Sequence, residues 1–326
     1  MSANPVSHPK PIIVVSKCLE FDACRYNGAR LDDTFVRALR AHVKFAPVCP
    51  EVEIGLGVPR DPVRLLALGG VKRMVQPASG DDVTDKMNDF SQSYLQSLEA
   101  VDGFILKSKS PSCGIRDTKQ YASLENSMSI GRDSGLFAQS VLARHPHLAV
   151  EDEARLSNYT IRERFLTRVF ASARLRQISR RGAMKDLVRF HAENKYLLLT
   201  YSQRLMRTLG RIVANAERAP LPEVFAAYAA GFHESLSHTP RHTSHINTLQ
   251  HGFGYVSDRL NGREKRLFSQ TIAHYQDKRV PLGAVIALLR AWILRFDVEY
   301  LERQTYFEPY PAELLSVQDS GKGRAL

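Results

Sequence analysis

Three of the four cysteines in this 326-residue chain each follow a short apolar run that predicts a buried strand. They are Cys18, Cys49 and Cys113, and the runs before them are residues 11–15, 44–48 and 103–106. In an open parallel sheet, the carboxyl ends of the strands form the crevice where ligands bind. Three thiols delivered to that edge can meet and bind a metal or an iron–sulfur cluster, with a fourth coordination position left free.

The spacing of these cysteines is not that of a CxxC pair, so spacing alone does not select a metal site. The same positions also fit three buried and inert thiols, because free cysteine is among the most buried residue types. The fourth cysteine, Cys24, is either a further ligand or a loop residue that shapes the site.

The elements that must position these thiols alternate between strands and helices in the first half of the chain. Apolar runs predict strands at residues 12–15, 44–48, 103–106 and 147–150, and a hairpin over 64–75 with Gly69 and Gly70 in its turn. Helices are predicted from residue 35, over 81–100 and over 134–143, while residues 51–62 read as loop because they are rich in Gly and Pro. This order predicts a three-layer α/β domain with a mostly parallel sheet.

The second half of the chain has helical periodicity only. Helices are predicted over residues 161–178, 185–216, 223–235, 239–251, 263–277 and 282–300, and no strand is predicted after about residue 150. We therefore expect an α/β domain in residues 1–178 and an all-α helical domain in residues 179–326.

Composition limits the class of protein. A hydrophobic content of 44% and a charged content of 24% are ordinary for a globular chain. No apolar stretch approaches the roughly 20 residues that span a bilayer, and residues 1–10 lack the apolar core of a signal peptide. We therefore expect a cytoplasmic protein with no membrane segment. Four cysteines in such a chain favour metal binding or catalysis over a disulfide framework.

The positive charge is concentrated in one segment. The net charge is +11, and residues 155–218 contain fifteen Arg or Lys against four Asp or Glu, which accounts for the whole excess. Such a segment can attract a polyanion such as RNA. It can equally be a set of solvated helix faces.

The residues around the thiols are distinctive. SKCL and CRYNG lie within residues 16–28, PVCPE and GLGVPR within 47–60, and LKSKSPSCG at 106–114. In this order, the three blocks resemble the TudS-like 2-thiouracil desulfurase (desulfidase) family. FHAENKYLL at 190–198 and QTYFEPYP at 304–311 resemble the YbgA-type helical domain of unknown function, which occurs fused to such desulfurases.

The resemblance implies a 4Fe-4S cluster held by Cys18, Cys49 and Cys113, with one iron free of protein ligands. It also implies that sulfur is removed from thiolated uracil without net redox change. The family's acidic catalytic residue maps to Glu51 and its catalytic serine to Ser110. Cys24 falls outside the three-ligand pattern and is not assigned to the cluster.

The chemistry of these residue types agrees with the implied roles. An iron beside a soft sulfide core should prefer a thiocarbonyl sulfur to a carbonyl oxygen, and its binding would polarise the C–S bond. Water must attack the carbon, and Glu51, two residues from a thiol ligand, is placed to move the proton. Ser110 would orient the substrate or relay a proton. Taken alone, Glu51 could be a loop carboxylate and Ser110 a turn residue.

The function expected from the sequence is therefore desulfuration of a thiolated pyrimidine, or a similar thioamide, to the oxo form with release of sulfide. One alternative keeps the cluster but acts on thiolated nucleosides in RNA, which residues 155–218 would contact. Another is a non-enzymatic scaffold with a structural metal. The sequence does not indicate the oligomeric state.

Overall fold

The chain forms two compact units in the computed structural model, which describes residues 8–68, 70–125, 128–316 and 319. The main part of one unit is Lys10–Ala173, and the main part of the other is Arg174–Ala312. The domain boundary between residues 178 and 179 stays a prediction. None of the helices in the described ranges is both long enough and apolar enough to cross a membrane.

Within the described residues, the first unit contains eight strands and five whole helices, and a sixth helix crosses the division between Ala173 and Arg174, which confirms the α/β class. The strands are β1 (Ile12–Ser16), β2 (Lys44–Val48), β3 (Arg64–Leu68), β4 (Val71–Val75), β5 (Gly103–Leu106), β6 (Thr118–Tyr121), β7 (Ser129–Asp133) and β8 (Ala149–Asp152). The helices are α1 (Thr34–Leu39), α2 (Pro50–Glu53), α3 (Thr84–Ser97), α4 (Leu136–Arg144), α5 (Glu153–Leu156) and α6 (Tyr159–Arg181).

The central sheet is wholly parallel and has the strand order β2-β1-β5-β8. Its middle strands β1 and β5 are almost entirely buried, which explains why their sequences are continuous apolar runs. Gly103 begins β5 where no side chain fits. A Cβ there would lie 2.6 Å from Val169 Cγ1 and 3.0 Å from the Ala149 carbonyl oxygen. This glycine therefore lets β5 lie close to both β8 and α6.

A second sheet has the order β4-β3-β6-β7 and is mixed. The predicted hairpin is confirmed as the antiparallel pair β3–β4, and Gly70 has the positive φ of +81° expected of its turn. Gly69 lies outside the described residues. Strands β6 and β7 were not predicted, because β7 is mostly exposed and neither has an apolar face. Backbone pairing, rather than side-chain burial, defines them.

The predicted helices of the first unit are present. Helix α1 begins at Thr34, α3 is shorter than predicted at both ends, and α4 begins later than predicted, at Leu136, and ends at Arg144 rather than at residue 143. The prediction that residues 51–62 are entirely loop was wrong at its start, because α2 occupies Pro50–Glu53. Pro50 is the first helical residue of α2, where proline loses no hydrogen bond and its fixed φ suits the helix.

The second unit is all-helical, as predicted, and no strand follows Asp152 within the ranges that the structure describes. After α6 come α7 (Met184–Glu193), α8 (Lys195–Tyr201), α9 (Gln203–Ala214), α10 (Leu221–Ser237), α11 (His242–Gly254), α12 (Gly262–Gln276), α13 (Leu282–Arg295) and α14 (Glu299–Glu302). Short 3-10 turns lie at Ser257–Arg259 and Ala312–Leu314.

The single helix predicted over residues 185–216 was wrong, because the chain breaks at Asn194 and Ser202 into three helices. The buried Asn194 side chain donates to the Phe190 carbonyl (2.8 Å) and accepts from the Thr305 hydroxyl (2.8 Å). Ser202 has extended backbone and accepts from the Leu205 N–H (3.3 Å), capping α9. Side-chain hydrogen bonds to the backbone thus compete with helix continuation at both breaks.

Candidate functional site

The three predicted thiols follow three neighbouring strands of the parallel sheet. Cys49 follows β2, Cys18 follows β1, and the loop to Cys113 follows β5, in the spatial order β2-β1-β5. The backbone N–H of Lys17 donates to the Val48 carbonyl (2.8 Å), so β1 and β2 end side by side. Parallel strands present their carboxyl ends at one edge, and this edge of the sheet therefore gathers all three cysteine loops.

The thiols meet at this edge, and Cys24 meets them too. The Cys24 thiol shares hydrogen bonds with the thiols of Cys18 and Cys49. Cys113 lies within electrostatic range of Cys49 and is hydrogen-bonded to Ser16 and Ser110. All four cysteines are free, and all but the half-buried Cys49 are buried. The sequence reasoning set Cys24 aside, although its position six residues after Cys18 was the available signal.

This crowding favours the protonated form of three of the thiols. The neighbouring Cys18 thiol raises the pKa of Cys24 to about 11. The hydrogen bond to Cys24, followed by burial, raises the pKa of Cys49 well above its usual value. Burial raises the pKa of Cys113 to about 12. A metal that binds here must displace protons, so its binding would release them to solvent.

The donor set fits a cluster better than a single ion. In the described ranges, no three His, Cys, Asp or Glu side chains are arranged around one point as a mononuclear metal requires. A cluster places each thiolate on a different iron, so its ligands stand further apart than around one ion. Thiolates are the usual protein ligands of such clusters. Cys18, Cys49 and Cys113 on separate loops match that requirement.

The carboxylate of Glu51 is held beside the thiols in a buried ion pair. Arg60 donates to Glu51 Oε2 from both Nε (3.0 Å) and Nη2 (2.7 Å), and the two side chains are 4% and 12% exposed respectively. The other oxygen, Oε1, accepts the Ser112 hydroxyl at 2.6 Å. Helix α2 fixes the backbone of Glu51 directly after Cys49-Pro50. The carboxylate therefore has a defined position and orientation.

Arg60 also joins the two cysteine loops to each other. Its Nη1 donates to the carbonyl oxygens of Cys24 (3.0 Å) and Gly57 (2.9 Å), and its backbone N–H donates to the Tyr26 carbonyl (2.8 Å). Arg60 belongs to the Gly- and Pro-rich segment of residues 51–62. Its role as the partner of Glu51 depends on a contact that no local pattern encodes.

Ser110 and Glu51 are not direct partners. The Ser110 hydroxyl oxygen accepts from the backbone N–H groups of Ser112 (3.3 Å) and Cys113 (3.1 Å), as a turn residue does. Because a hydroxyl has two acceptor lone pairs and one proton, the hydrogen bond that Ser110 shares with the Cys113 thiol uses the Ser110 O–H as the donor. The hydroxyl that touches Glu51 belongs to Ser112, which the sequence reasoning missed even though it adjoins Cys113.

Two other polar side chains near the crevice already have hydrogen-bond partners within the chain. Lys107 forms an ion pair with Glu153 and donates to the Ser108 hydroxyl (3.0 Å). Asn27 accepts from the Ala29 N–H (3.2 Å), which is a local turn contact. Lys109 is exposed and has a positive φ of +60°. Of these, Lys109 is the cation that faces solvent.

The basic segment contributes an exposed stripe in the second unit. Arg204, Arg207 and Arg211 lie on one face of α9 and are exposed, while Leu205 and Leu209 on the opposite face are buried. Residues at this spacing are neighbours on a helix surface. The stripe therefore presents three guanidinium groups together.

Two family models match separate parts of the chain. A family model described as 2-thiouracil desulfurase matches residues 13–153, and one described as Protein of unknown function (DUF1722) matches residues 195–311. The Uncharacterized protein YbbK of Bacillus subtilis (strain 168) is 34% identical over 111 residues, which are 32% of this chain and 73% of that protein. A solved structure described as a 4Fe-4S-dependent thiouracil desulfidase TudS is 28% identical, covering 45% of this chain and 93% of that chain, with a TM-score of 0.36.

Proposed function

Because the chain belongs to the 2-thiouracil desulfurase family, we propose that it converts a thiolated pyrimidine of the 2-thiouracil type to its oxo form. The observation that carries this proposal is the meeting of Cys18, Cys49 and Cys113 at the ends of three adjacent parallel strands, next to an oriented carboxylate. We assign those three thiols as ligands of a 4Fe-4S cluster. The cytoplasmic location expected from the sequence stays a prediction.

The reaction is a hydrolysis. The C=S bond of the substrate is replaced by C=O from water, and the sulfur leaves as hydrogen sulfide, so no oxidant or reductant is consumed. When bound, the cluster supplies a Lewis-acidic iron without a protein ligand, which polarises the C–S bond. The remaining steps are proton transfers and substrate orientation, for which the chain provides Glu51 and Ser110.

Glu51 acts as the general base in this scheme. It takes a proton from the water that attacks the carbon and returns it to the sulfur as the C–S bond breaks. The second proton of the water leaves the new C–OH group as C=O forms and passes to the released hydrosulfide through solvent. Ser110 orients the substrate through its O–H, which turns from the Cys113 sulfur to the substrate, because both of its acceptor lone pairs already receive backbone N–H groups. Arg60 keeps Glu51 beside the thiols.

The test is turnover of 2-thiouracil by protein purified without oxygen, with iron and sulfide content measured on the same sample. Glu51→Ala should keep the cluster and lose about 10²- to 10⁴-fold in kcat, the usual contribution of general acid–base catalysis. Glu53→Ala is the matched control, since Glu53 is an exposed carboxylate on the same short helix. Wild-type turnover by Glu51→Ala would refute its role as the base.

A second candidate keeps the site and changes the substrate to a thiolated nucleoside in RNA. The exposed stripe of Arg204, Arg207 and Arg211 favours it, because guanidinium groups neutralise phosphates. Replacing all three with Gln should weaken tRNA binding and reduce its salt dependence, while turnover of free thiouracil stays unchanged. If wild-type protein binds no tRNA at low salt, this candidate fails.

A non-enzymatic scaffold remains distinguishable from both candidates. A colourless protein with stoichiometric zinc and no iron would support the scaffold and refute the cluster. A brown protein with iron and sulfide would exclude it.

A further inference from the structure

We propose that Ser112 is the positioning residue that makes Oε1 of Glu51 the proton-accepting atom of the site. The inference rests on the proposed function and goes beyond it, because it selects one oxygen and adds a residue. Oε2 already receives two N–H groups from Arg60, at 3.0 and 2.7 Å. Since a carboxylate oxygen offers about two lone pairs, Oε2 has none left for water.

The hydrogen bonding of Oε1 differs from that of Oε2. It receives one hydrogen bond, from the Ser112 hydroxyl at 2.6 Å, and keeps one lone pair. The ion pair alone would leave the carboxylate free to rotate about its bond and exchange its oxygens. The Ser112 hydroxyl fixes the second oxygen, so the plane of the carboxylate and the direction of the free lone pair are both set.

Ser112 is itself held rigidly by the start of α4. Its carbonyl accepts the Ala138 N–H (3.0 Å), and its own N–H donates to the Ser110 hydroxyl (3.3 Å). Gly135, the N-cap residue of α4, packs directly on its backbone, where a Cβ would lie 2.5 Å from the Ser112 carbonyl oxygen. The loop before Cys113 is thereby anchored to a helix of the central fold.

Because Ser112 is fully buried, it does not contact the substrate. Its relative exposure is 0%, whereas the Glu51 side chain keeps 12% exposure. Ser112 therefore acts through Glu51 rather than on the substrate. In this scheme Ser110 acts on the substrate, and Ser112 orients the base.

The test compares Ser112→Ala with a matched control, Ser91→Ala. Ser91 is also fully buried and donates at 2.6 Å, but its acceptor is the Met87 carbonyl within α3. Ser112→Ala should lower kcat for 2-thiouracil about ten- to hundredfold, as expected for a lost hydrogen bond to a charged group, with KM, iron and sulfide unchanged. Ser91→Ala should keep wild-type kcat.

A double-mutant cycle gives the readout that a merely structural role would not produce. In the Glu51→Ala background, adding Ser112→Ala should change kcat less than about twofold, because the residue through which it acts is gone. Equal effects of Ser112→Ala with and without Glu51 would overturn the inference, and so would wild-type kcat in Ser112→Ala. If wild-type protein does not release sulfide, the proposed function and this inference both fail; if it does and Glu51→Ala is impaired, only the inference is at stake.

Discussion

Replacing Arg60 with Met should destabilise the first unit strongly. The change leaves the Glu51 carboxylate almost buried without its cation, and the carbonyl oxygens of Cys24 and Gly57 lose a donor. Removing one partner of a buried ion pair costs about 3–5 kcal/mol. For a unit of this size, each kcal/mol lowers Tm by about 2–4 °C, so we expect a decrease of about 6–20 °C.

The assay is calorimetric unfolding of the full chain, with Arg37→Met as the matched control. Arg37 also pairs with a buried glutamate, Glu20 at 2.8 Å, but its side chain is 55% exposed. Solvent screens the charge of an exposed partner, so this variant should lose much less in Tm than Arg60→Met does. Adding Glu51→Gln to Arg60→Met should recover part of the loss, because no buried charge then remains. Equal decreases in Tm for Arg60→Met and Arg37→Met would refute the reasoning.

Three further outcomes are expected. Cys49→Ser should abolish iron binding, whereas Cys24→Ser should keep wild-type iron and sulfide content; loss of iron in the second variant would make Cys24 a ligand. Asn194→Ala should lower the free energy of unfolding by about 1–3 kcal/mol, because it leaves the hydroxyl of Thr305 without its acceptor, and an unchanged denaturant midpoint would contradict this. His245 accounts for a pH dependence, since burial lowers its pKa to about 4 in the fold while the unfolded value is about 6.5. Between these values the unfolded chain binds more protons, so about 3 kcal/mol of stability is present above pH ~6.5 and is lost as pH falls toward ~4. His245→Gln should flatten that slope in unfolding measured from pH 7 to 4.

Local patterns were sufficient for the elements that bury apolar side chains. The strands before Cys18 and Cys113 are buried, continuous apolar runs. The prediction of a buried strand before Cys49 was wrong, because β2 lies at the edge of its sheet and only its Val48 is buried. Helices α3 and α4 are present where they were predicted. Strands β6 and β7 could not be predicted in this way, since backbone pairing with a neighbour defines them. The helix breaks at Asn194 and Ser202 were also not predicted, because side-chain hydrogen bonds rather than hydrophobic periodicity produce them. Asn194 accepts a hydrogen bond from the distant residue Thr305, whereas Ser202 caps α9 through the local N–H of Leu205.

In the candidate site, too, some features could be predicted from the sequence and others could not. The sequence by itself determined which reactive groups the site contains. The residue types and their order after each strand place thiols, a carboxylate and a serine at one edge of the sheet. Only the tertiary structure decided the pairings. In the structure, the Glu51 carboxylate is hydrogen-bonded to Arg60 and Ser112 rather than to Ser110, and the Cys24 thiol lies among the other thiols. The physical reason is that burial and strand order act through local periodicity, whereas a hydrogen bond between loops depends on distances that exist only after the sheet has assembled.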